Sequence, residues 1–158
     1  MTSRHFDTNY GKPLYQEVIR WSFSLWIFVA FLDLSIIFAI WAALDMTATF
    51  VTLIVISILT IALYRQSALR ITVTQGWLLV GPAAIERAYI HNFQILNKNE
   101  MRNMRGLQAS PLNFLQIRFW TPAGIKLSIR DPKDPTPAWI ISSRKGEQLI
   151  KVLEKSSH

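Results

Sequence analysis

The sequence predicts a membrane α+β protein: a two-helix transmembrane hairpin, then a small antiparallel β-barrel or sheet domain with a C-terminal helix. Three observations carry that prediction. Two long apolar runs adjoin in the first half, period-two alternation recurs in the second, and an amphipathic stripe ends the chain. The implied organisation is a cytoplasmic N-terminal segment over 1–20, a hairpin over 21–64 and a cytoplasmic domain over 65–158.

The first run, Trp21 to Leu44, has 24 residues and one charge, Asp33; the second, Thr47 to Tyr64, has 18 and none. At about 1.5 Å per residue these reach about 36 and 27 Å, against a hydrocarbon core of about 30 Å. Two apolar runs joined at Asp45-Met46 leave only an antiparallel hairpin. The second run is rich in β-branched residues but is far too long for one buried strand. Trp21, Trp26, Trp41 and Tyr64 fall near the run ends, where amphipathic rings favour the interface. A cleaved signal peptide fits poorly, since its apolar region spans about 7–15 residues and here some twenty mixed residues precede the run. Arg4, Lys12 and Arg20 precede the first span, Arg65 and Arg70 follow the second, and the turn has no basic residue. The expectation is a multi-pass protein of the cytoplasmic membrane with both termini inside.

Over the 158 residues, 51% are hydrophobic and 17% charged, against roughly 25% charge in an average globular domain. There is no cysteine, which excludes disulfides, thiolate nucleophiles and thiolate metal sites. Residues 65–158 carry 14 Lys+Arg and 6 Asp+Glu, a net of +8, whereas 1–64 carry a net of −1. The positive charge therefore lies in the second half. It suits an anionic inner leaflet first and nucleic acid second.

Leu69, Ile71 and Val73 alternate with polar residues, as do Leu115, Ile117 and Phe119, and again Ile125, Leu127 and Ile129; each set reads as a half-buried antiparallel strand. Gln75-Gly76 is hairpin chemistry leading into Trp77–Val80, and 121–124 reads as a second hairpin. Shorter strands are expected at 83–90, 92–96 and 138–142. The helix over 144–155 presents Leu149, Ile150, Val152 and Leu153 as one stripe, with Ser142 or Ser143 as its cap. About seven strands before one helix is the order of a pleckstrin-homology-like (PH-like) barrel, an analogy that implies no function.

Residues 97–110 interrupt the strands. Lys98, Arg102 and Arg105 share one helical face, with Met101, Met104 and Leu107 on another. The segment is either a solvated turn or an amphipathic element on the inner leaflet.

At Asp131-Pro132-Lys133-Asp134-Pro135-Thr136-Pro137-Ala138-Trp139, followed by Ser142-Ser143-Arg144, the chain resembles the actinobacterial membrane-protein family catalogued as domain of unknown function 3093. Tyr15-Gln16-Glu17, the two spans and the Arg70–Val80 hairpin match as well. Ala138 stands where the pattern has an aromatic residue, and Gly146 where it has proline. The resemblance implies a cytoplasmic-membrane protein and supplies no activity, substrate or catalytic residue. Physically the proline block is a stiff loop, because each proline fixes its own φ and extends the residue before it. Asp131, Asp134 and Trp139 are its candidate partner contacts, beside the alternative of a structural connector.

Catalytic, cofactor and metal residues are not expected. His5 and His158 are terminal, His91 is single, and no phosphate loop or nucleophile elbow occurs. Asp33 is the costly residue: it is thirteenth in its 24-residue run, where a charge costs about 2.5–3.5 kcal/mol. Aligning the hairpin arms sets it level with 52–58 and names Ser57 or Thr52 as its hydrogen-bond donor, with a second membrane protein or second copy as the alternative. The functional expectation is a non-catalytic binding or accessory module at the inner leaflet, with Asp33, Lys98, Arg102 and Arg105 as contacts. The alternatives are an enzyme acting on lipid or envelope precursors, and a membrane-proximal RNA or ribosome contact.

Overall fold

The computed structural model describes residues 10–106, 110–132 and 134–155. The chain forms two compact units, Arg20–Ala68 and a second unit built from the chain on both sides of it.

The first unit is a helical hairpin of α1 (Phe23–Ala43) and α2 (Met46–Gln66). Ser22 caps α1 by accepting from the Leu25 N–H at 3.3 Å. Asp45 caps α2 by accepting from Ala48 N–H at 2.8 Å, which is why the chain reverses at this polar residue. Each helix has 21 residues and a mean hydropathy of 2.4 over its most apolar window, with none of that window buried. Both are long and apolar enough to cross a membrane. At their open ends Trp21, Trp26 and Tyr64 form a ring cluster with centroids 5.1–5.6 Å apart. The Trp21 indole N–H donates to Ser67 Oγ at 2.6 Å.

The second unit contains two four-stranded sheets. Sheet A runs in the order β1 (Tyr15–Ile19), β2 (Leu69–Val73), β3 (Trp77–Val80), β4 (Ala83–Glu86), all antiparallel. Sheet B runs β5 (Ile90–Leu96), β7 (Gly124–Ile129), β8 (Ala138–Ser142), β6 (Phe114–Gln116). Helix α3 (Lys98–Arg105) follows β5, and α4 (Gly146–Lys155) closes the chain. Sheet A contributes Ile19, Leu69, Ile71, Val73, Leu78 and Val80 to the main core. Sheet B adds Ile125, Leu127, Trp139 and Ile141, and α4 adds Leu149 and Leu153. Burying each such aliphatic side chain favours folding by about 1.5–3 kcal/mol.

The strand expected over 83–90 ends at Glu86, where Arg87–Tyr89 form a 3-10 turn, and the one expected through Leu115, Ile117 and Phe119 ends at Gln116. Two further features depart from the sequence expectation. The first is β1. No strand is foreseen before the apolar runs, yet Ile19 pairs with Leu69 and Tyr15 with Val73. The whole hairpin is thus inserted between two adjacent strands of one sheet. The second is that sheet B is mixed. β6 lies parallel to β8, with Leu115 opposite Ile140, and does not form a hairpin with β7. Both edges of β7 are taken, by β5 and β8, so β6 has no place beside it. Residues 117–123 instead fold back irregularly: Arg118 N–H donates to Ser142 Oγ at 2.8 Å and Ser143 N–H to the Ala123 carbonyl at 3.2 Å.

A smaller core lies on the other face of sheet B, where Leu96, Met101 and Ile140 are buried and Met104 and Ile117 pack against them. It depends on Gly124. A Cβ there would meet the Ile141 carbonyl oxygen and lie 2.8 Å from Met101 Sδ, so no side chain fits beneath α3. Gly124→Ala is expected to destabilise the fold by about 1–3 kcal/mol through overpacking. Gly76→Ala, with nothing within 4 Å of the added carbon, is expected to be close to neutral. Denaturant unfolding of both variants checks the difference.

Candidate functional site

A buried carboxyl with three hydrogen-bond donors lies on β1. Strand alternation turns Tyr15, Glu17 and Ile19 to the side that packs on the core and leaves Gln16 and Val18 exposed. Glu17 is therefore a carboxyl placed at an apolar position, and the fold surrounds it with donors. Ser143 Oγ–H donates to Oε2 at 2.7 Å, Arg144 N–H to Oε1 at 2.8 Å, and Tyr15 Oη–H to Oε2 at 3.1 Å. Ser143 Oγ also accepts from Lys145 N–H at 3.1 Å, which sets the entry to α4. A carboxyl at a helix start meets unpaired N–H groups and the positive end of the dipole. Of the two serines expected to cap this helix, Ser143 instead forms a turn with Lys145, just ahead of Gly146. Ser142 sits in β8 and bonds Arg118.

The opposite end of α4 meets the opposite charge. Arg87 follows β4, and its guanidinium donates to the Val152 carbonyl at 2.9 Å and to that of Leu153. It also donates to the Thr74 carbonyl at 3.0 Å, tying the β2–β3 turn to the last turn of the helix. Burial pulls its pKa below the ordinary guanidinium value.

The residues singled out from the sequence are dispersed. Asp33 accepts from Thr60 Oγ1–H at 3.0 Å, and not from Thr52 or Ser57; Ser57 donates to the Leu53 carbonyl within its own helix. The reason is side-chain direction. Every helical Cα–Cβ bond leans toward the N-terminus, so Asp33 reaches away from the turn, about one helical turn beyond its level partner. Trp139 is buried at the centre of the main core, 4.4 Å from the Phe114 ring centroid, so its surface is spent on packing. Asp131 and Asp134 form a tight turn, with Asp134 N–H to the Asp131 carbonyl at 3.3 Å. Asp134 Oδ1 accepts from Thr136 N–H at 2.9 Å, and these bonds to Thr136 hold its carboxyl below the ordinary value.

Lys98, Arg102 and Arg105 do share the exposed side of a helix, α3, with Asn97 and Glu100 as a reciprocal capping box. Its apolar side is occupied, however. Met101 is fully buried and Met104 packs beside it, so neither is free to enter a bilayer. Leu107, Lys133, His5 and His158 lie outside the described residues. His91 is exposed on β5. Among the described residues no group of three His, Cys, Asp or Glu is arranged to hold a metal.

The molecule is thus an α+β protein with an apolar helical hairpin inserted into a two-sheet domain. Residues 14–153 match the family described as Protein of unknown function (DUF3093), and the chain belongs to that family. No curated protein and no solved structure matches it. Two of the blocks that carried the resemblance, Tyr15-Gln16-Glu17 and Ser142-Ser143-Arg144, meet through space in the Glu17 cluster.

Glu17→Ala is expected to cost about 2–4 kcal/mol, because three donors, one buried and two part-buried, lose their acceptor, and Ser143→Ala about 1 kcal/mol. Glu17→Gln keeps one acceptor oxygen and should fall between them. Burial first, then the charge of Glu17 and the bond to it, raise the Tyr15 phenol above its ordinary value of 10.0. The unfolded chain then loses this proton before the folded one. Stability is therefore complete below pH about 10 and falls as pH rises above it. Tyr15→Phe should flatten that alkaline decline in a pH series of unfolding midpoints while lowering stability at neutral pH.

Proposed function

We propose that this chain is an integral protein of the cytoplasmic membrane that acts as a non-catalytic binding or accessory module. α1 and α2 span the bilayer, and both termini are cytoplasmic. One observation carries the reading: two consecutive 21-residue apolar helices expose large side chains such as Phe31, Phe38, Phe50 and Ile58 on every side. In water such a surface is unfavourable by about 25 cal/mol per Å², and lipid removes that penalty. The ring cluster of Trp21, Trp26 and Tyr64 at the open end of the hairpin supports an interfacial position there.

The second unit supports a PH-like reading in having two sheets and a C-terminal helix packed on a shared core. It departs from that pattern in its parallel β6–β8 pair and in drawing β1 from before the hairpin. A binding role is favoured because the candidate polar residues serve the fold: Glu17 and Arg87 hold α4, and Asp134 holds a turn. What remains for a partner is the basic side of α3, fitted to the anionic inner leaflet, and the apolar hairpin, fitted to a membrane protein or a second copy. Asp33, half-buried and bonded to Thr60, is the ionisable residue within that surface.

A reporter fused after His158 that works only in the cytoplasm is expected to be active, and activity of an export-only reporter there would overturn the orientation. Purification from mild detergent is expected to yield a stoichiometric membrane-protein partner or a homo-oligomer. Asp33→Leu should lose that complex and Asp33→Asn retain it. A homogeneous monomer, or an unchanged profile for Asp33→Leu, would contradict the role given to the hairpin.

A further inference from the structure

The outer face of sheet B carries apolar surface that the core does not use. Leu115 pairs with Ile140, so both side chains emerge on the α3 side of the sheet. Ile140 is fully buried there, whereas Leu115 is 41% exposed. Leu112, in the turn that leads into β6, is 62% exposed, and Phe119, just past Ile117 of the small core, is 67% exposed. Phe119 makes an edge contact with Trp120 at 4.8 Å and otherwise projects outward. The apolar side of α3 covers the same small core through Met101 and Met104 and leaves Lys98, Arg102 and Arg105 exposed. Glu100, the one acid on α3, has its carboxylate turned to Asn97 N–H at 2.7 Å. The elements that close the small core thus carry both exposed apolar residues and three exposed cations.

We infer that this face is a lipid-docking surface: Leu112, Leu115 and Phe119 enter the headgroup region while Lys98, Arg102 and Arg105 engage anionic headgroups. The inference rests on the membrane-anchored reading above and extends it, because it transfers the apolar half of the contact from the methionines of α3 to the β6 segment. Charge selects the occupant. Exposed Leu and Phe together with uncompensated Lys and Arg match an anionic leaflet, where basic and apolar contributions add.

The chain has no cysteine, so single labels report cleanly. Leu112→Cys, Asn103→Cys on α3 and Gln148→Cys on α4 are each made in the full chain, labelled with an environment-sensitive fluorophore and placed in nanodiscs. Discs of phosphatidylglycerol are compared with discs of phosphatidylcholine. The expected result is a blue shift and shielding from acrylamide at Leu112→Cys in phosphatidylglycerol only. It should reverse at about 1 M salt, where the Debye length shrinks to about 3 Å, and Gln148→Cys should stay aqueous. Replacing Lys98, Arg102 and Arg105 by Gln should move the docked-to-free ratio about a hundredfold toward free. Phe119→Asp, at an exposed position, should abolish the shift with α4 unchanged. If Asn103→Cys responds to phosphatidylglycerol while Leu112→Cys stays aqueous, the contact is by charge alone: the inference fails and the leaflet reading stands. If neither label responds, both fail. Equal shielding in phosphatidylcholine that grows with protein per disc would mean docking between chains and would overturn the inference.

Discussion

The position of α4 over the core depends on charges brought to its two ends by distant parts of the chain. At its start the Glu17 carboxyl takes the Ser143 hydroxyl and the Arg144 amide at 2.7 and 2.8 Å. At its end Arg87 takes the carbonyls of Val152 and Leu153. The signs match the helix dipole at both termini. Leu149 and Leu153 are buried between these anchors, so the electrostatics and the packing fix the same placement. Removing Glu17 would leave donors buried without an acceptor, which costs more than the bond itself contributes.

The anchor at the helix start comes from before the hairpin, and this makes the insertion structural. β1 reaches the sheet ahead of α1, and β2 continues it after α2, with Ile19 beside Leu69. The two ends of the hairpin are therefore held one strand spacing apart, about 5 Å, by a ladder of paired residues. A hairpin so attached has little freedom to separate its ends, and the Trp21–Ser67 bond and the ring cluster act at the same place.

Much of this architecture was legible in the sequence, for identifiable reasons. Two uninterrupted apolar runs admit few alternatives, and α1 and α2 start and stop within two residues of them. β2, β3, β7 and β8 keep clean alternation or sit beside Gly and Pro punctuation, and the stripe of α4 has the helical period. β1 was hidden because its inward set is Tyr15, Glu17 and Ile19, with a carboxyl where alternation looks for an apolar residue. Its partner is 126 positions away, and only space reveals it. Arg87 was equally invisible, since a clamp on main-chain carbonyls leaves no mark on the sequence being clamped. Thr121-Pro122-Ala123-Gly124 reads as a turn and points β6 toward a hairpin with β7; local chemistry cannot register that both edges of β7 are already occupied. Trp139 stood out for its place beside the proline block, and burial explains it. The Asp33 partner was displaced by one helical turn because backbone levels ignore the lean of side chains.

β1, with Glu17, is an integral part of the domain that follows the hairpin. This is tested most directly by replacing residues 20–68 with a short Asn-Gly turn, joining β1 to β2 as an ordinary antiparallel pair. The account predicts that this hairpin-deleted chain is soluble and unfolds cooperatively, whereas 69–155 alone, with β2 as an open edge and Ser143 without Glu17, does not. A stable, cooperative fold from 69–155 alone, matching the hairpin-deleted chain in unfolding midpoint, would contradict it.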